Sequence, residues 1–398
     1  MYICQSCGIK MDKKEMHGKN LDGTRSEDYC IYCYLKGKFS NPGETLEEMV
    51  ESCIPYKVKE GFTESVAREV LAKDLVKLKR WINNQGCVQN EGKIRVTNMQ
   101  SELENFAIEH GDRLKVISIE HLKELKEIIE NCMEQEELND FQEWIIDELY
   151  KFETQIEDFK VNSIILVAIN KPFYAKVDFL KGGKKKTFLS LVSPDFKKTE
   201  EYLRKFVEEN GNSIKMAGNL PLKRLGTHSG LAKYGRNNIT YVDGLGSNFS
   251  YAAYFSDLMC EEDTWVEVVQ NEIVCNSCNL CIEKCPTGAI PKDRFLIDNQ
   301  RCLSYINEAP GEFPSWIPLT AHHTLYDCLI CQRICPMNYG QVDNFIDFIS
   351  FTEEETNMLL DGKPIDTFSE EFKAKIFMLG LDVWYEAIPR NLKTLFEL

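Results

Sequence analysis

The chain has 398 residues, 43% of them hydrophobic and 11% aromatic, which is ample for several domains, each with its own core. A formal net charge of −16 argues against a general nucleic-acid binder, which would present a basic surface. The most apolar run, SIILVAI from Ser163 to Ile169, is far short of the roughly 20 residues a bilayer helix needs. Neither end carries a secretory signal or lipidation box, so no membrane partner is expected and the compartment reads as cytoplasmic.

The chain opens on a metal-site pattern. CQSCG places Cys4 and Cys7 in one knuckle, and YCIYCY places Cys30 and Cys33 in a second. Two such pairs, each C-x2-C, suit a structural Zn2+ held by four thiolates, which take the metal from four directions. A rubredoxin-like iron site is the competing reading, but the second knuckle lacks the glycine such sites carry after their last cysteine. His17 lies between the knuckles and is not needed as a fifth ligand; Cys53 reads as a buried thiol. With DGTRSEDYCIYCYLKGKF and an amphipathic segment ending at Leu78 to Trp81, residues 1–85 resemble bacterial zinc-ribbon domains with a helical extension. Gln85 to Gly92 reads as a polar, glycine-punctuated linker.

From residue 93 to 265 the pattern is that of an α/β domain. A helix over Glu102–Gly111, a strand over Arg113–Ile119 and a helix over Glu120–Cys132 come first, the last with an apolar stripe at Leu122, Leu125, Ile128 and Ile129. A further amphipathic pattern runs to about Phe159. Strands are expected at Ser163–Ile169 and Thr187–Val192, a helix at Lys197–Glu209 and a short strand around Ile214. KGGKKK, from Lys181 to Lys186, is a small candidate for a basic groove but reads as a solvated hairpin loop. Cys87 and Cys132 have no partner spacing.

The stretch from Pro221 to Ser247 is rich in glycine and hydrogen-bonding side chains and poor in residues that pack. Gly230, Gly235, Gly244 and Gly246 would let the backbone approach a ligand closely. Arg236, Asn237 and Asn238 add donors, and a strand is expected at Ile239–Val242. Gly230, Tyr234, Gly235, Arg236, Asn237 and Asn238 are therefore the candidate cofactor-binding residues. Cys260 reads as core.

The strongest signal lies in residues 266–345. CNSCNLCIEKCP spaces Cys275, Cys278, Cys281 and Cys285 as C-x2-C-x2-C-x3-C before Pro286, the bacterial ferredoxin run for a 4Fe–4S cluster. A tight loop can supply three sulfurs to one cubane, while the fourth cysteine of such runs serves the other cluster. Cys302 follows alone, then DCLICQRICP supplies Cys328, Cys331 and Cys335, again before a proline. The crossed arrangement of two-cluster ferredoxins assigns Cys275, Cys278, Cys281 and Cys335 to one cluster and Cys285, Cys302, Cys328 and Cys331 to the other. Zinc pairs and disulfides are the competing readings, but zinc takes paired knuckles and disulfides are unusual in a cytosolic chain. After the clusters, Asn338 to Leu398 reads as helices, including a capping box at Thr352 and Glu355. Residues 346–398 form the C-terminal helical segment.

SGLAKYGRNN, the two cysteine runs, RCLSYIN and the terminal IPRNL resemble epoxyqueuosine reductases and their relatives, the reductive dehalogenases. The resemblance covers the chain from about Gly111 onward. It implies a cobalamin-binding reductase domain fused to a double-cluster ferredoxin-like module, with electrons passing through the clusters to remove an oxygen or halogen substituent. An electron donor such as ferredoxin or flavodoxin is implied, and either a small molecule or tRNA as substrate. The fold class is thus a multidomain α+β and α/β chain: zinc ribbon, reductase-like domain, double-cluster module and C-terminal helices. Two departures stand out. The segment Ser213 to Leu225, where those reductases carry an aspartate general acid, has no carboxylate. The zinc ribbon is not part of the tRNA-modifying enzyme. His228, Tyr234 and Asp243 are alternative proton carriers, and no catalytic residue is assigned. A non-enzymatic electron carrier or reductive activator that docks a partner protein is the alternative function. A cavity beside the clusters would favour the enzyme; a tRNA-binding role would need a basic groove.

Overall fold

The computed structural model describes residues 3–11, 13–21, 23–41, 44–59, 62–84, 98–135, 138–154, 156–269, 273–293 and 295–398. Cys87 and the linker expected over Gln85–Gly92 lie outside these residues. The chain divides into two compact units, Met1–Val96 and Thr97–Leu398.

The first unit folds around its four cysteines. Strands His17–Lys19 and Arg25–Cys30 pair antiparallel and deliver Cys30; helices Leu46–Lys59 and Glu64–Leu75 pack together behind them. Thr63 caps the second helix by accepting from the Val66 N–H. Cys4, Cys30 and Cys33 share a small core with Met11, Val50, Leu71 and Trp81. Arg80, almost fully buried, fixes the first knuckle by donating to the Ser6 hydroxyl at 3.0 Å, and the Trp81 indole donates to the Ser6 carbonyl at 2.7 Å.

The second unit is built on an antiparallel sheet with strand order Arg113–Ser118, Ser163–Asn170, Phe249–Ser256 and Ile214–Met216. Residues 163–169 are buried without alternation because both faces are covered. Ile165, Val167 and Ile169 meet helices Met99–Glu109 and Phe196–Glu209; Ile164 and Leu166 meet helices His121–Gln135 and Leu222–His228. The strand Phe249–Ser256, central in this sheet, is absent from the sequence reading. The amphipathic pattern expected to run on to Phe159 instead makes a short helix, Asp140–Trp144, and one π turn, Ile145–Leu149. An Asn139–Gln142 capping box starts that helix afresh.

A second sheet joins Phe345–Phe351, Tyr174–Lys181 and Lys184–Ser190, the first pair parallel and the second antiparallel. The basic run is the turn of this hairpin, through Gly182 and Gly183, and several lysines along it have partners: Lys185 pairs with Asp178 and Lys186 donates to the Phe396 carbonyl. The region after the clusters is therefore not helical throughout, since its first element completes this sheet. Helices Glu353–Leu360, Glu370–Met378 and Ile388–Glu397 then share a core with Val177, Phe179 and Phe351. The Thr352–Glu355 capping box is present.

Candidate metal centres and the cavity beside them

In the first unit the sulfurs of Cys4, Cys7, Cys30 and Cys33 lie within 4.8 Å of one another. Each knuckle supplies two thiols from a tight turn, and the Cys30 N–H donates to the Cys4 sulfur at 3.2 Å, stabilising it as a thiolate. This geometry suits a tetrahedral zinc. His17 is buried with its ring nitrogens 2.9 Å from the Ser26 carbonyl and 3.1 Å from the Met11 carbonyl, so it is engaged away from the thiols. Cys53 is also outside the set, and burial pushes its pKa up to about 11.

In the second unit Cys275, Cys278, Cys281 and Cys335 line one small cavity, although Cys335 comes from the far end of the module. The other four cysteines are also brought together: Cys328 feels the charges of Cys302 and Cys285, and Cys331 those of Cys328 and Cys302. The short helices Leu280–Lys284 and Ile330–Arg333 pack against each other and carry the two cysteine runs. Cys285 stands just past the first helix, in extended backbone, and does not line the small cavity that its three predecessors share. Burial raises the Cys281 thiol to about 11 and the Cys328 thiol to about 12, and holds Cys331 well above its ordinary value. These groups are protonated without metal, so ligation here releases protons.

The hairpin of strands Ala232–Tyr234 and Thr240–Val242 stands between the cysteines and a second, much larger space. Gly235, Arg236 and Asn237 line the small four-cysteine cavity, whereas Tyr234 and Asn238 line the large one. Gly230 lines neither. Arg236 clamps the first set, its N–H reaching the Cys275 sulfur at 3.4 Å and its guanidinium donating to the Cys275 carbonyl at 2.6 Å. Tyr241 hydrogen-bonds Cys335, and Asn237, joined to the Tyr241 hydroxyl at 3.0 Å, reaches Cys331 in the other set. Two of the glycines allow close approach within the protein. A Cβ on Gly235 would lie 2.5 Å from the Tyr241 ring, and one on Gly246 would lie 2.3 Å from the Asn338 amide oxygen. Both positions let the backbone approach the protein itself.

The large cavity has a volume of about 680 Å³. Tyr150, Phe249, Tyr251 and Phe295 give it aromatic walls; Asn238, Thr240, Ser247 and Asn248 add polar groups; Lys171, Lys223, Arg224 and Asp327 add charge. Asp327, Leu329 and Gln332 belong to the loop that carries Cys328 and Cys331, so the second cysteine set borders this space. Asn248 is only 2% exposed, and among the described residues neither atom of its side-chain amide has a hydrogen-bond partner. Burial lowers the pKa values of Lys171 and Lys223 and raises that of Tyr234 to about 12. Arg224 stacks over Tyr234 and Phe295, each at 5.8 Å, and donates to Cys132 at 3.7 Å, which places that lone thiol on the cavity wall.

Of the alternative proton carriers, only Tyr234 reaches the cavity. His228 is held by the Val266 carbonyl at 2.7 Å and stacks on Trp265, and Asp243 is exposed outside the lining. Asp327 is a carboxylate that the sequence reading did not single out. It adopts a left-handed backbone (φ +60°), accepts from the Ser304 hydroxyl, and accepts from the Cys328 N–H at 2.5 Å. Its one sequence signal, a position directly before a ligand cysteine, was masked by the cysteine motif itself.

Comparison with known proteins agrees with this division. The zinc ribbon domain family matches residues 3–82, and the 4Fe-4S double cluster binding domain family matches residues 274–338. Epoxyqueuosine reductase of Bacillus subtilis is 28% identical over 143 residues, covering 36% of this chain and 36% of that protein. The Lactococcus garvieae enzyme is 28% identical over 176 residues, covering 44% and 48%, and the Salmonella typhimurium enzyme 32% identical over 126 residues, covering 31% and 31%. The chain thus matches less than half the length of each of these relatives. In three dimensions it resembles a B. subtilis epoxyqueuosine reductase, with a TM-score of 0.51 at 20% identity, covering 75% of this chain and 81% of that one. A second reductase structure, bound to an epoxyqueuosine-modified tRNA stem loop, gives 0.52 at 20% identity with the same coverage. Among the described residues no helix is long and apolar enough to cross a membrane. Epoxyqueuosine reductases, which are oxidoreductases, are homologues of this chain in sequence and its neighbours in fold, and here that fold carries a zinc ribbon at its N-terminal side.

Proposed function

We propose that this chain is a cytoplasmic iron–sulfur reductase in which two 4Fe–4S clusters deliver electrons to an acceptor held in the 680 Å³ cavity. Cys275, Cys278, Cys281 and Cys335 hold the first cluster; Cys285, Cys302, Cys328 and Cys331 hold the second; Cys4, Cys7, Cys30 and Cys33 hold zinc. The observation that carries this reading is the shared wall. The loop of Cys328 and Cys331 also lines the cavity, so an electron on the second cluster has its acceptor next door. A pure electron carrier has no use for a concave space of that size.

The residues fit a corrinoid. A corrin ring has broad apolar faces and a rim of amide groups. Tyr150, Phe249, Tyr251 and Phe295 match the faces, and the unpartnered Asn248 amide, with Asn238 and Ser247, matches the rim. A corrinoid held there would supply a redox-active cobalt. The protein's own part is to exclude water, orient the substrate and keep protons available. Tyr234 retains its proton to about pH 12, and Lys171 and Lys223, lowered by burial, release theirs more readily than free lysines do. The first substrate to test is the relatives' epoxyqueuosine-modified tRNA, whose epoxide oxygen leaves as water for two electrons and two protons. A ferredoxin or flavodoxin is the donor class.

The test is anaerobic reconstitution with iron, sulfide and cobalamin, followed by gel filtration and metal analysis. About eight iron, one zinc and one cobalt per chain are expected, since each of two cubanes carries four iron. Iron and zinc without cobalt would overturn the corrinoid assignment and favour the electron carrier.

A further inference from the structure

We propose that Asn248 is the specificity-determining residue of the large cavity. Its side-chain amide pairs with a carboxamide on the rim of the corrinoid, so that the site selects amide-bearing corrinoids over those without amides. This rests on the reading that the cavity holds a corrinoid.

Asn248 stands directly before the strand Phe249–Ser256, and its backbone is held on both sides. Its N–H donates to the Leu245 carbonyl at 3.0 Å, and its carbonyl accepts from the Lys171 N–H at 3.4 Å. The next residue, Phe249, already pairs with Asn170 in the sheet. The residue before it is engaged as well. The Ser247 N–H donates to the Asn338 amide oxygen at 2.8 Å; its hydroxyl donates to Gln332 and accepts from the Asn338 amide, each at 2.8 Å. Asn248 is therefore fixed in the cavity wall, and of its polar groups only the side-chain amide is free.

A buried amide with neither Oδ1 nor Nδ2 bonded is costly, and such groups in a native fold call for a reason. Ser163, Ser190, Tyr254 and Thr356 each bury one hydroxyl without a partner among the described residues, but none of them lines this cavity. Asn248 does, and it lacks a donor and an acceptor at once. A second amide turned head to tail satisfies both in one step, each N–H meeting the other carbonyl. Asparagine reads the paired donor and acceptor of an adenine edge in the same way. A carboxylate offers acceptors alone, and an ester has no N–H to give. Either would leave one polar atom of Asn248 buried and unpaired, which is how a site rejects the wrong ligand.

The experiment is an anaerobic binding titration on the full-length protein reconstituted with iron and sulfide, read from the visible spectrum of the corrinoid. Two probes are compared: cobinamide, whose rim carries amides, and cobyrinic acid heptamethyl ester, whose rim carries none. Wild type is set against Asn248→Leu, which keeps the shape of the side chain and removes both polar atoms. Asn248→Leu should bind cobinamide about tenfold more weakly than wild type and the ester about as well as wild type. The urea midpoint of the corrinoid-free variant should not fall, whereas loss of a merely structural amide would lower it. Equal cobinamide affinity in wild type and an iron-replete Asn248→Leu protein would overturn the proposal, as would equal losses for the two probes. If Asn248→Leu does not retain iron, Asn248→Ala takes its place under the same criteria. A wild-type protein that binds neither probe instead sinks the corrinoid reading, and this proposal with it.

Discussion

The side-chain amide of Asn391 donates to the carbonyl oxygen of Asn307 at 2.7 Å and to that of Leu325 at 2.8 Å. One residue near the end of the chain thereby fastens the segment after Cys302 to the segment before Cys328. Its neighbour Arg390 adds bonds to the carbonyls of Gly311 at 2.6 Å and Ile306 at 2.9 Å. Asn391→Ala would leave the Leu325 carbonyl without this donor and the Asn307 carbonyl with only the 3.4 Å bond from Arg390, at a cost of about 1–3 kcal/mol. Thermal unfolding should show the loss. Iron should fall from about eight towards about four per chain, because the second cluster loses its frame.

Single serine substitutions should sort the cysteines into two groups. Cys335→Ser and Cys275→Ser should abolish the same EPR signal, and Cys285→Ser and Cys331→Ser the other, each leaving about four iron. If Cys285→Ser instead matched Cys275→Ser, the crossed division would be wrong.

Zinc and iron should be separable. Cys7→Ser should remove the zinc and expose residues 1–96 to protease, since metal binding supplies much of such a unit's folding energy. The iron content of the same protein should be unchanged.

Glu308 provides a pH-dependent contribution to stability. Burial, and then the charge of Asp327, raise its carboxyl from 4.5 to about 9. Between those values the folded state holds a proton that the unfolded state has released, so stability falls as pH rises through this window. Glu308→Gln should flatten the fall and gain stability above neutrality, as read from urea midpoints between pH 5 and 9.

Gly246→Ala should destabilise by about 2–3 kcal/mol. The position has φ +60°, and the new methyl would displace the Asn338 side chain, which accepts from the Ser247 N–H at 2.8 Å and donates to the Gln332 carbonyl at 2.8 Å. A fall in the urea midpoint with an unchanged slope would show it.

The features that could be read from sequence are local ones. A thiolate site is specified by short spacing, so the knuckles and the ferredoxin run were plain, and the Thr352–Glu355 box needs only three residues of reach. The cavity could not be read that way, because its walls come from segments as distant as Ile129, Lys171, Tyr251 and Leu329. Phe249–Ser256 escaped because FSYAAYFS follows a glycine-rich stretch and has no polar alternation; it is a central strand with covered faces. Tyr174–Lys181, YAKVDFLK, alternates apolar and charged residues, as suits a strand with one open side, and is missing from the sequence reading. Asp327 is illegible for a different reason: it directly precedes a ligand cysteine, and the cysteine motif accounts for that position by itself.

The parallel pairing of Phe345–Phe351 with Tyr174–Lys181 has a consequence for the order of biosynthesis. A ribosome releases all eight cluster cysteines before it releases the strand that closes this sheet. The thiols therefore leave the exit tunnel ahead of the scaffold that encloses them, and pairings of such long sequence separation form late. Enclosure of the cysteines by this sheet is then complete only after Phe345–Phe351 has been released.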